Sequence, residues 1–313
     1  MNNKTLLIVF LGLLALYGLN RLFSGKRDSN FNSELIKVDT ATVTSIVVSL
    51  HEPEPQEISL KKEEGGWIVS NGHQSAKAMP EAITSVLTNL SLVRTQQIAA
   101  SSADLWSAYE VGEGQGVGVK VYKGSQLKED FIVGKFDFNP ETRSGKCYVR
   151  LNGQNEVYSI DGFELLSFKQ GFEAYRNREL IKMKAAMKVN EFLCQWPDTT
   201  SLFKKTPLGW TTGNATLDSM KVENYLNVLR NLTATTFADD FDETKAGRLH
   251  FATLTIKGDN IEAPYVIDCY RDTTREHPFV LHSTYNPETW FESDSAGVFK
   301  QIFLDLKNLT AGH

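Results

Sequence analysis

The residue types that most often do chemistry are sparse in this 313-residue chain, and their spacing is unfavourable for a metal site. None of the six histidines has a second histidine four residues away, the separation that would place two imidazoles on one face of a helix. His277 and His282 flank one apolar run, and a separation of five residues places them on opposite faces of a strand. No metal site and no cofactor is therefore predicted.

Two other segments resemble binding loops only superficially. Glycines alternate in Val111–Lys120 (VGEGQGVGVK), but a dinucleotide loop needs G-x-G-x-x-G between a strand and a helix. The alternation instead predicts a flexible loop that enters a strand. Asp239 to Glu243 form an acidic run in which Thr244 and Lys245 occupy positions that a calcium loop gives to a ligand and a glycine. This run is interpreted as a solvated loop.

Nucleophilic catalysis also lacks a motif. No G-x-S-x-G occurs, and Cys147, Cys194 and Cys269 each stand in an apolar run typical of a strand. They are predicted to be buried small hydrophobic residues, with a Cys194–Cys269 disulfide left open. No catalytic residue is predicted, and the chain is expected not to be an enzyme.

Aromatic residues in irregular segments are the remaining candidates for a site. Trp106 and Tyr109 follow the first predicted helix, and Phe172, Tyr175 and Arg176 lie in a basic connection farther along the chain. Side chains of these types on loops are typical of contacts with a partner or a ligand. These five residues are the predicted contact positions, with local packing as the alternative.

An internal repeat indicates the elements that position these residues. Val43–Trp67 and Val189–Trp210 each read as a strand, a turn with proline, a second strand and a Gly-Trp end, at an offset of about 142 residues. A helix with one apolar face follows in each copy. The two apolar stripes are Ile83, Val86, Leu87 and Leu90 in the first copy, and Tyr225, Val228, Leu229 and Leu232 in the second.

Each copy continues with alternating runs that predict antiparallel strands, and a helix is expected to close it over Asp161–Phe168 or Asp294–Leu309. The predicted fold class is α+β: an N-terminal transmembrane helix followed by two duplicated domains, each an antiparallel sheet with packed helices. The predicted domain limits are an anchor at 1–27, a tether at 28–34, a first domain at 35–168, a connection at 169–186 and a second domain at 187–313.

The predicted anchor rests on Thr5–Asn20, which holds no charged residue. A cleaved signal peptide is the alternative, although no A-x-A-like cleavage site follows. Lys4 precedes the span, and Arg21, Lys26 and Arg27 follow it, so the charge flanks weakly favour a cytosolic body. The whole chain carries a net charge of −5, which is the wrong sign for a nucleic-acid-binding surface.

Ten residues in this order carry a resemblance to a known family. They are Trp67, Tyr109, Gly134, Tyr148, Val149, Arg150, Val157, Tyr158, Arg176 and Leu180. Over residues 35–180 the chain resembles the bacterial family DUF4340, whose members are found alongside gliding-motility-type ABC transporters. The resemblance implies an anchored, extracytoplasmic accessory protein of the inner membrane, against the charge flanks, and it supplies no catalytic residue.

Three functions follow from these observations. The first is a membrane-anchored accessory or scaffold subunit of an envelope complex, with proteins of an ABC-type transporter as partners. The second is a module that binds a glycan, a peptide or a lipid in a cleft between the two repeats, around Phe172, Tyr175 and Arg176. The third is a cell-envelope hydrolase, which would need a cluster of titratable residues in a cleft.

Overall fold

The computed structural model describes residues 33–51 and 53–309, and strands dominate this part of the chain. Strands hold 47% of the described residues and helices of all types hold 21%. The α+β prediction with an N-terminal transmembrane helix is therefore wrong, because the described chain is mainly antiparallel β. No helix among the described residues is long and apolar enough to cross a membrane. The expected anchor at 1–27 lies outside the described residues.

The first of the two predicted closing helices is much shorter than expected and is a 3-10 turn at Leu166–Lys169. The second is present over residues 298–308, with a π turn at Lys300–Leu304 inside it and an α turn at Asp305–Asn308. Two regular α-helices among the described residues are longer than ten residues. Helix α1 (Pro80–Ser91) buries Ile83, Val86 and Leu90. The other long helix, at Ser219–Leu229, begins after Asp218, whose carboxylate accepts hydrogen bonds from two backbone N–H groups.

The first sheet has ten strands, in the order β1-β6-β10-β9-β8-β7-β2-β3-β4-β5. Alternation along the chain explains its buried face: Ile46 and Val48 in β2 and Ile58 and Leu60 in β3 are fully buried, and their neighbours face outward. The strands are β1 Glu34–Ile36, β2 Ser45–Leu50, β3 Gln56–Glu63, β4 Gly66–Ser70, β5 Ser75–Lys77, β6 Val93–Ala100, β7 Val117–Lys123, β8 Gln126–Asn139, β9 Ser144–Leu151 and β10 Val157–Asp161.

The second large sheet has nine strands, in the order β15-β14-β13-β12-β18-β19-β20-β21-β17, and β11 pairs with β16 separately. The strands are β11 Glu179–Lys182, β12 Lys188–Gln195, β13 Thr200–Thr206, β14 Gly209–Thr212, β15 Ala215–Thr216, β16 Asn231–Thr233, β17 Thr236–Phe237, β18 His250–Asp259, β19 Tyr265–Arg271, β20 Phe279–Ser283 and β21 Asn286–Ser293. The helices here are α2 Phe172–Tyr175, α3 Ser219–Leu229, α4 Ala246–Leu249 and α5 Asp305–Asn308.

The two sheets share an order of strands. In each large sheet, the first strand of the first hairpin (β2 or β12) pairs with a strand that follows the long helix and a loop (β7 or β18). The next three strands then follow in sequence order, β8 to β10 in the first sheet and β19 to β21 in the second. The chain forms two compact units: residues 33–65, 70–73 and 81–174 make the first, and residues 66–69, 74–80 and 175–309 make the second. The predicted domain limits stay a prediction.

Aromatic rings fill the core of the second unit. The Phe192 ring stacks on that of Phe203, with centroids 4.4 Å apart, and it also contacts Trp210 and Tyr225. Trp210 is fully buried, as expected for the repeated Gly-Trp position. Val228 departs from the predicted apolar stripe, because 48% of its surface is exposed and Leu226 takes the buried place.

Candidate functional site

An open groove in the first unit is lined by basic, acidic and amide side chains and by Trp106, one of the predicted contact residues. It has a volume of about 590 Å³. It is lined by three non-strand segments, which are the 3-10 helix at Ala103–Tyr109, the glycine-rich segment before β7 and the turn between β9 and β10. Residues of β2, β7, β8 and β9 and His51 complete the lining. The lining side chains that matter below are those of His51, Trp106, Glu113, Gln115, Lys120, Asp130, Arg150 and Asn152.

Arg150, on β9, is the central cation of this groove. Only 4% of its surface is exposed. Its Nε donates a hydrogen bond to the Val111 carbonyl at 2.9 Å, and Nη1 donates a long one to the Gln154 carbonyl at 3.5 Å. Burial lowers the pKa of Arg150, whereas the negative charges of Asp130 and Glu113 act in the opposite direction. Arg150 takes part in none of the ion pairs that the described residues form.

Trp106 lies against this guanidinium. The centre of the Arg150 guanidinium is 3.9 Å from the Trp106 ring centroid, a distance typical of cation–π stacking. The indole Nε1 donates a hydrogen bond to the Asn155 carbonyl at 2.9 Å. The indole is thus held at the groove wall by one ring contact and one hydrogen bond.

Tyr109 is close in sequence but is not part of the groove lining. Its hydroxyl donates to the Ala99 carbonyl at 3.1 Å, and its ring packs on Tyr148 with centroids 4.6 Å apart. The Lys135 ammonium lies 5.5 to 5.8 Å from both rings. Burial, aided by Asp137, raises the pKa of Tyr148. Tyr109 and Trp106 both pack against the cluster of Ala100, Val111 and Val157, but only Trp106 lines the groove.

The glycine-rich segment is a loop that enters β7, as predicted, and it contains a tight turn. Gly116 has φ +62°, and a Cβ there would lie 2.4 Å from the Glu110 carbonyl oxygen and 2.6 Å from that of Val133. Nδ1 of His51 donates to the Gly116 carbonyl at 3.0 Å. Only glycine fits this backbone. Beside the turn, Oε1 of Gln115 is buried and has no hydrogen-bond donor among the described residues.

The other three predicted contact residues are buried. Phe172, Tyr175 and Arg176 expose 3%, 1% and 5% of their surfaces. Arg176 forms a bidentate ion pair with Asp239, with nitrogen–oxygen distances of 2.6 and 2.7 Å, and its guanidinium lies 3.7 Å from the centre of the Phe237 ring. The groove contains none of the three. The cleft predicted between the repeats stays a prediction.

The segment after Arg176 also serves the second unit internally. Glu179 accepts a hydrogen bond from the Lys182 ammonium at 2.6 Å and one from the Tyr285 hydroxyl at 3.1 Å. Burial and this carboxylate raise the pKa of Tyr285 to about 12. Ser283 donates to the Leu180 carbonyl. The basic connection thus supplies satisfied polar contacts to the fold rather than a set of exposed cations.

His250, Thr253 and Asp268 lie close together, and these residue types would suit the predicted hydrolase alternative. Thr253 donates to Asp268 at 2.6 Å, and Nε2 of His250 is 2.9 Å from the same Thr253 oxygen. Because the hydroxyl proton is already given to Asp268, Nε2 of His250 acts as the donor to that oxygen. The arrangement therefore does not place the imidazole as a base toward the hydroxyl.

Cysteines and metal-binding side chains were also located. Cys147, Cys194 and Cys269 are free and buried, as predicted from their apolar neighbours. Burial raises the pKa of the thiol of Cys147 to about 11 and that of Cys194 to about 12. Within residues 33–51 and 53–309, no three His, Cys, Asp or Glu side chains are close enough to hold a metal ion.

Arg150 and the glycine turn are the site residues that sequence reasoning missed. Arg150 was noted only as part of the family resemblance, and the segment around Gly116 was taken for a flexible loop. The sequence held a usable signal for the turn, because alternating glycines come shortly after Trp106 and lead into a strand instead of a helix. The distance along the chain between Val111 and Arg150 concealed their contact.

Comparison with known proteins identifies the family. The family model described as "Domain of unknown function (DUF4340)" matches residues 67–250, which is more than half of the chain. No curated protein and no solved structure matches. The chain belongs to the DUF4340 family.

Proposed function

We propose that this DUF4340 protein is a non-catalytic binding protein, and that its ligand occupies the groove of the first unit. The observation that carries the proposal is the state of Arg150, a buried cation at the groove wall that has no ion-pair partner among the described residues. A buried charge costs free energy of folding unless it is paired. Unpaired buried charges are therefore found mostly at functional sites.

The surroundings of Arg150 support recognition. Trp106 offers a ring next to the cation, and the polar side chains of Lys120 and Asn152 line the same groove. A few convergent polar groups beside an aromatic ring are typical of ligand sites. The groove lies within one unit, so this proposal differs from the cleft between repeats.

The five tryptophan indoles provide a direct test. In a ¹⁵N NMR spectrum of the full chain, each indole N–H gives one signal, and Trp106→Phe assigns the signal of Trp106. We expect a library of sugars, sugar acids, dipeptides and lipid headgroups to contain compounds that shift the Trp106 signal selectively. The Trp210 indole, which is buried and donates to Glu223, is the internal control.

The proposal fails if no compound moves the Trp106 signal at millimolar concentration. It also fails if every compound that moves it moves the Trp290 or Trp196 signal equally, because those indoles lie outside the groove lining.

Association with an envelope complex belongs to the same proposal. The family resemblance supports an accessory subunit of an ABC-type transporter, attached to the inner membrane with its body outside the cytoplasm. Purification of the full chain from native membranes in mild detergent is expected to recover transporter subunits. Recovery of this chain alone would contradict the association, and a reporter fused after His313 that reads as cytosolic would contradict the location.

A further inference from the structure

We infer that the groove of the first unit binds a carboxylate, and that its ligand is an acidic sugar residue of a glycan held by Arg150. This inference rests on the proposed function and names the ligand class of that same groove. It follows from a comparison of two arginines in this chain, from a count of unused hydrogen-bonding groups, and from the positions of the strands around the groove.

The comparison is between Arg150 and Arg176. Both are at least 95% buried, and both lie on an aromatic ring, at 3.9 Å from Trp106 and 3.7 Å from Phe237. Arg176 has the bidentate carboxylate of Asp239, whereas Arg150 has no carboxylate partner among the described residues. Arg176 shows that a buried arginine stacked on an aromatic ring in this protein pairs with a carboxylate. At Arg150 the corresponding position opens into the groove.

The hydrogen-bonding groups of Arg150 support the same conclusion. A guanidinium has five N–H groups. One is used at Val111 and one at Gln154, and no acceptor for Nη2 is present in the described part of the chain. Because Arg150 lines the groove, the unused N–H groups are available to a ligand that enters it. A carboxylate accepts two parallel bonds from such a fork.

The nearby charges leave room for one carboxylate. Asp130 accepts a hydrogen bond from Nδ2 of Asn152 at 3.0 Å and stands opposite Lys120 across β7 and β8. Glu113 is exposed on the glycine-rich segment and takes part in none of the ion pairs that the described residues form. Its charge opposes an anionic ligand, so neutralising Glu113 is expected to strengthen binding.

The remaining groups favour a sugar acid over a peptide. Lys120 and Asn152 also line the groove, and their side chains can hydrogen-bond the hydroxyl groups of a sugar next to its carboxylate. A peptide that adds as a strand needs a free sheet edge. The strands that contribute to the groove, β2, β7, β8 and β9, each have neighbours on both sides. A peptide could present only its terminal carboxylate, which the test below separates.

The test is isothermal titration of the full chain with three probes: a galacturonate trimer, the uncharged galactose trimer, and acetyl-trialanine with a free terminal carboxylate. We expect the galacturonate trimer to bind at least about tenfold more tightly than the other two probes. The galactose trimer lacks the carboxylate that would form the bidentate contact, and acetyl-trialanine has a carboxylate but no hydroxyl groups beside it. The Trp106 indole signal should shift with the same affinity.

Two variants in the groove and one outside it complete the experiment. Arg150→Lys is expected to weaken galacturonate binding about tenfold or more, since a single ammonium replaces the fork. Glu113→Gln is expected to tighten it several-fold, and this exposed position leaves the fold unchanged. Arg143→Gln, at the exposed tip of the β8–β9 hairpin, is the matched control and is expected to change nothing.

The outcomes separate the two proposals. Equal binding of the charged and uncharged trimers, or weaker binding by Glu113→Gln, overturns the carboxylate inference and leaves the proposed function standing. Tighter binding of acetyl-trialanine overturns the glycan assignment. If none of the probes binds while other library compounds shift Trp106, the ligand class is wrong. If nothing shifts Trp106, the proposed function fails as well.

Discussion

The ion pair between Arg176 and Asp239 gives the sharpest prediction about stability. Asp239→Asn preserves the size and shape of the side chain and removes its negative charge. Arg176, which is 95% buried, then loses the carboxylate that accepts two of its hydrogen bonds. Removing one member of a buried pair is costly because the other charge loses that compensation.

The size of the effect follows from the two contacts. Each charge-assisted hydrogen bond, here at 2.6 and 2.7 Å, is worth about 1.5–3 kcal/mol. The amide oxygen of asparagine can keep one of them as a weaker bond from the charged guanidinium to a neutral acceptor. The Asp239 side chain is 33% exposed, so water compensates part of the loss. We expect the free energy of unfolding to fall by about 2–3 kcal/mol, below the ~3–5 kcal/mol of a fully enclosed pair.

Asp240→Asn is a matched control in the neighbouring residue. The Asp240 side chain is 79% exposed, and its partner Arg275 also pairs with Glu292 at 2.9 Å. Exposed pairs of this kind contribute less than about 1 kcal/mol. Urea titrations followed by circular dichroism, fitted for midpoint and slope, compare both variants with the wild type.

The reasoning is refuted if the two variants lose the same stability, or if Asp239→Asn loses less than about 0.5 kcal/mol. Such a result would mean that the ring of Phe237 and backbone acceptors satisfy the Arg176 charge without the carboxylate.

Three further predictions concern the core, the glycine turn and the thiols. Phe192→Ala should lower the free energy of unfolding by about 3–5 kcal/mol, because its ring contacts three other aromatic rings; denaturant titration measures this. Gly116→Ala should lose about 2–4 kcal/mol from its positive φ and the two carbonyl contacts, whereas Gly153→Ala, with open space around its Cβ, should lose about 1 kcal/mol in the same assay. Stability should fall as the pH rises above about 8.5. Burial raises the pKa of the thiols in the folded chain, to about 12 for Cys194, so these thiols ionise only when the chain unfolds. The Cys194→Ala variant should therefore lose less stability between about pH 8 and pH 10.5, and an equal loss would contradict this assignment.

Local patterns along the chain predicted much of the sheet structure. The strand expected near Val43 is present as β2, and the apolar spacing of Ile83, Val86 and Leu90 gave the buried face of α1. These patterns depend on neighbours within a few residues, so one sequence contains the whole signal. The helix expected at Asp294–Leu309 is present over residues 298–308, with an irregular π turn at Lys300–Leu304.

Contacts between distant residues were beyond prediction from one sequence. The acidic run was interpreted as solvated, yet Asp239 completes a buried arginine 63 residues earlier in the chain. The candidate site was found only in part for the same reason: Trp106 was predicted from its type and loop position, whereas Arg150 reaches Val111 across 39 residues. Nothing in the local composition near Arg150 distinguishes it from an exposed arginine.

The placement of the cysteines has a consequence for biosynthesis. Cys194 lies on β12 and Cys269 on β19, and β18 runs between these two strands. Strands that are not adjacent lie about 9–10 Å apart, beyond the Cα separation of about 7 Å that a disulfide can span. These two thiols cannot be joined in the folded chain. Maturation of the second unit therefore requires neither an oxidase nor an isomerase for this pair, and recombinant production in a reducing host should yield the same fold.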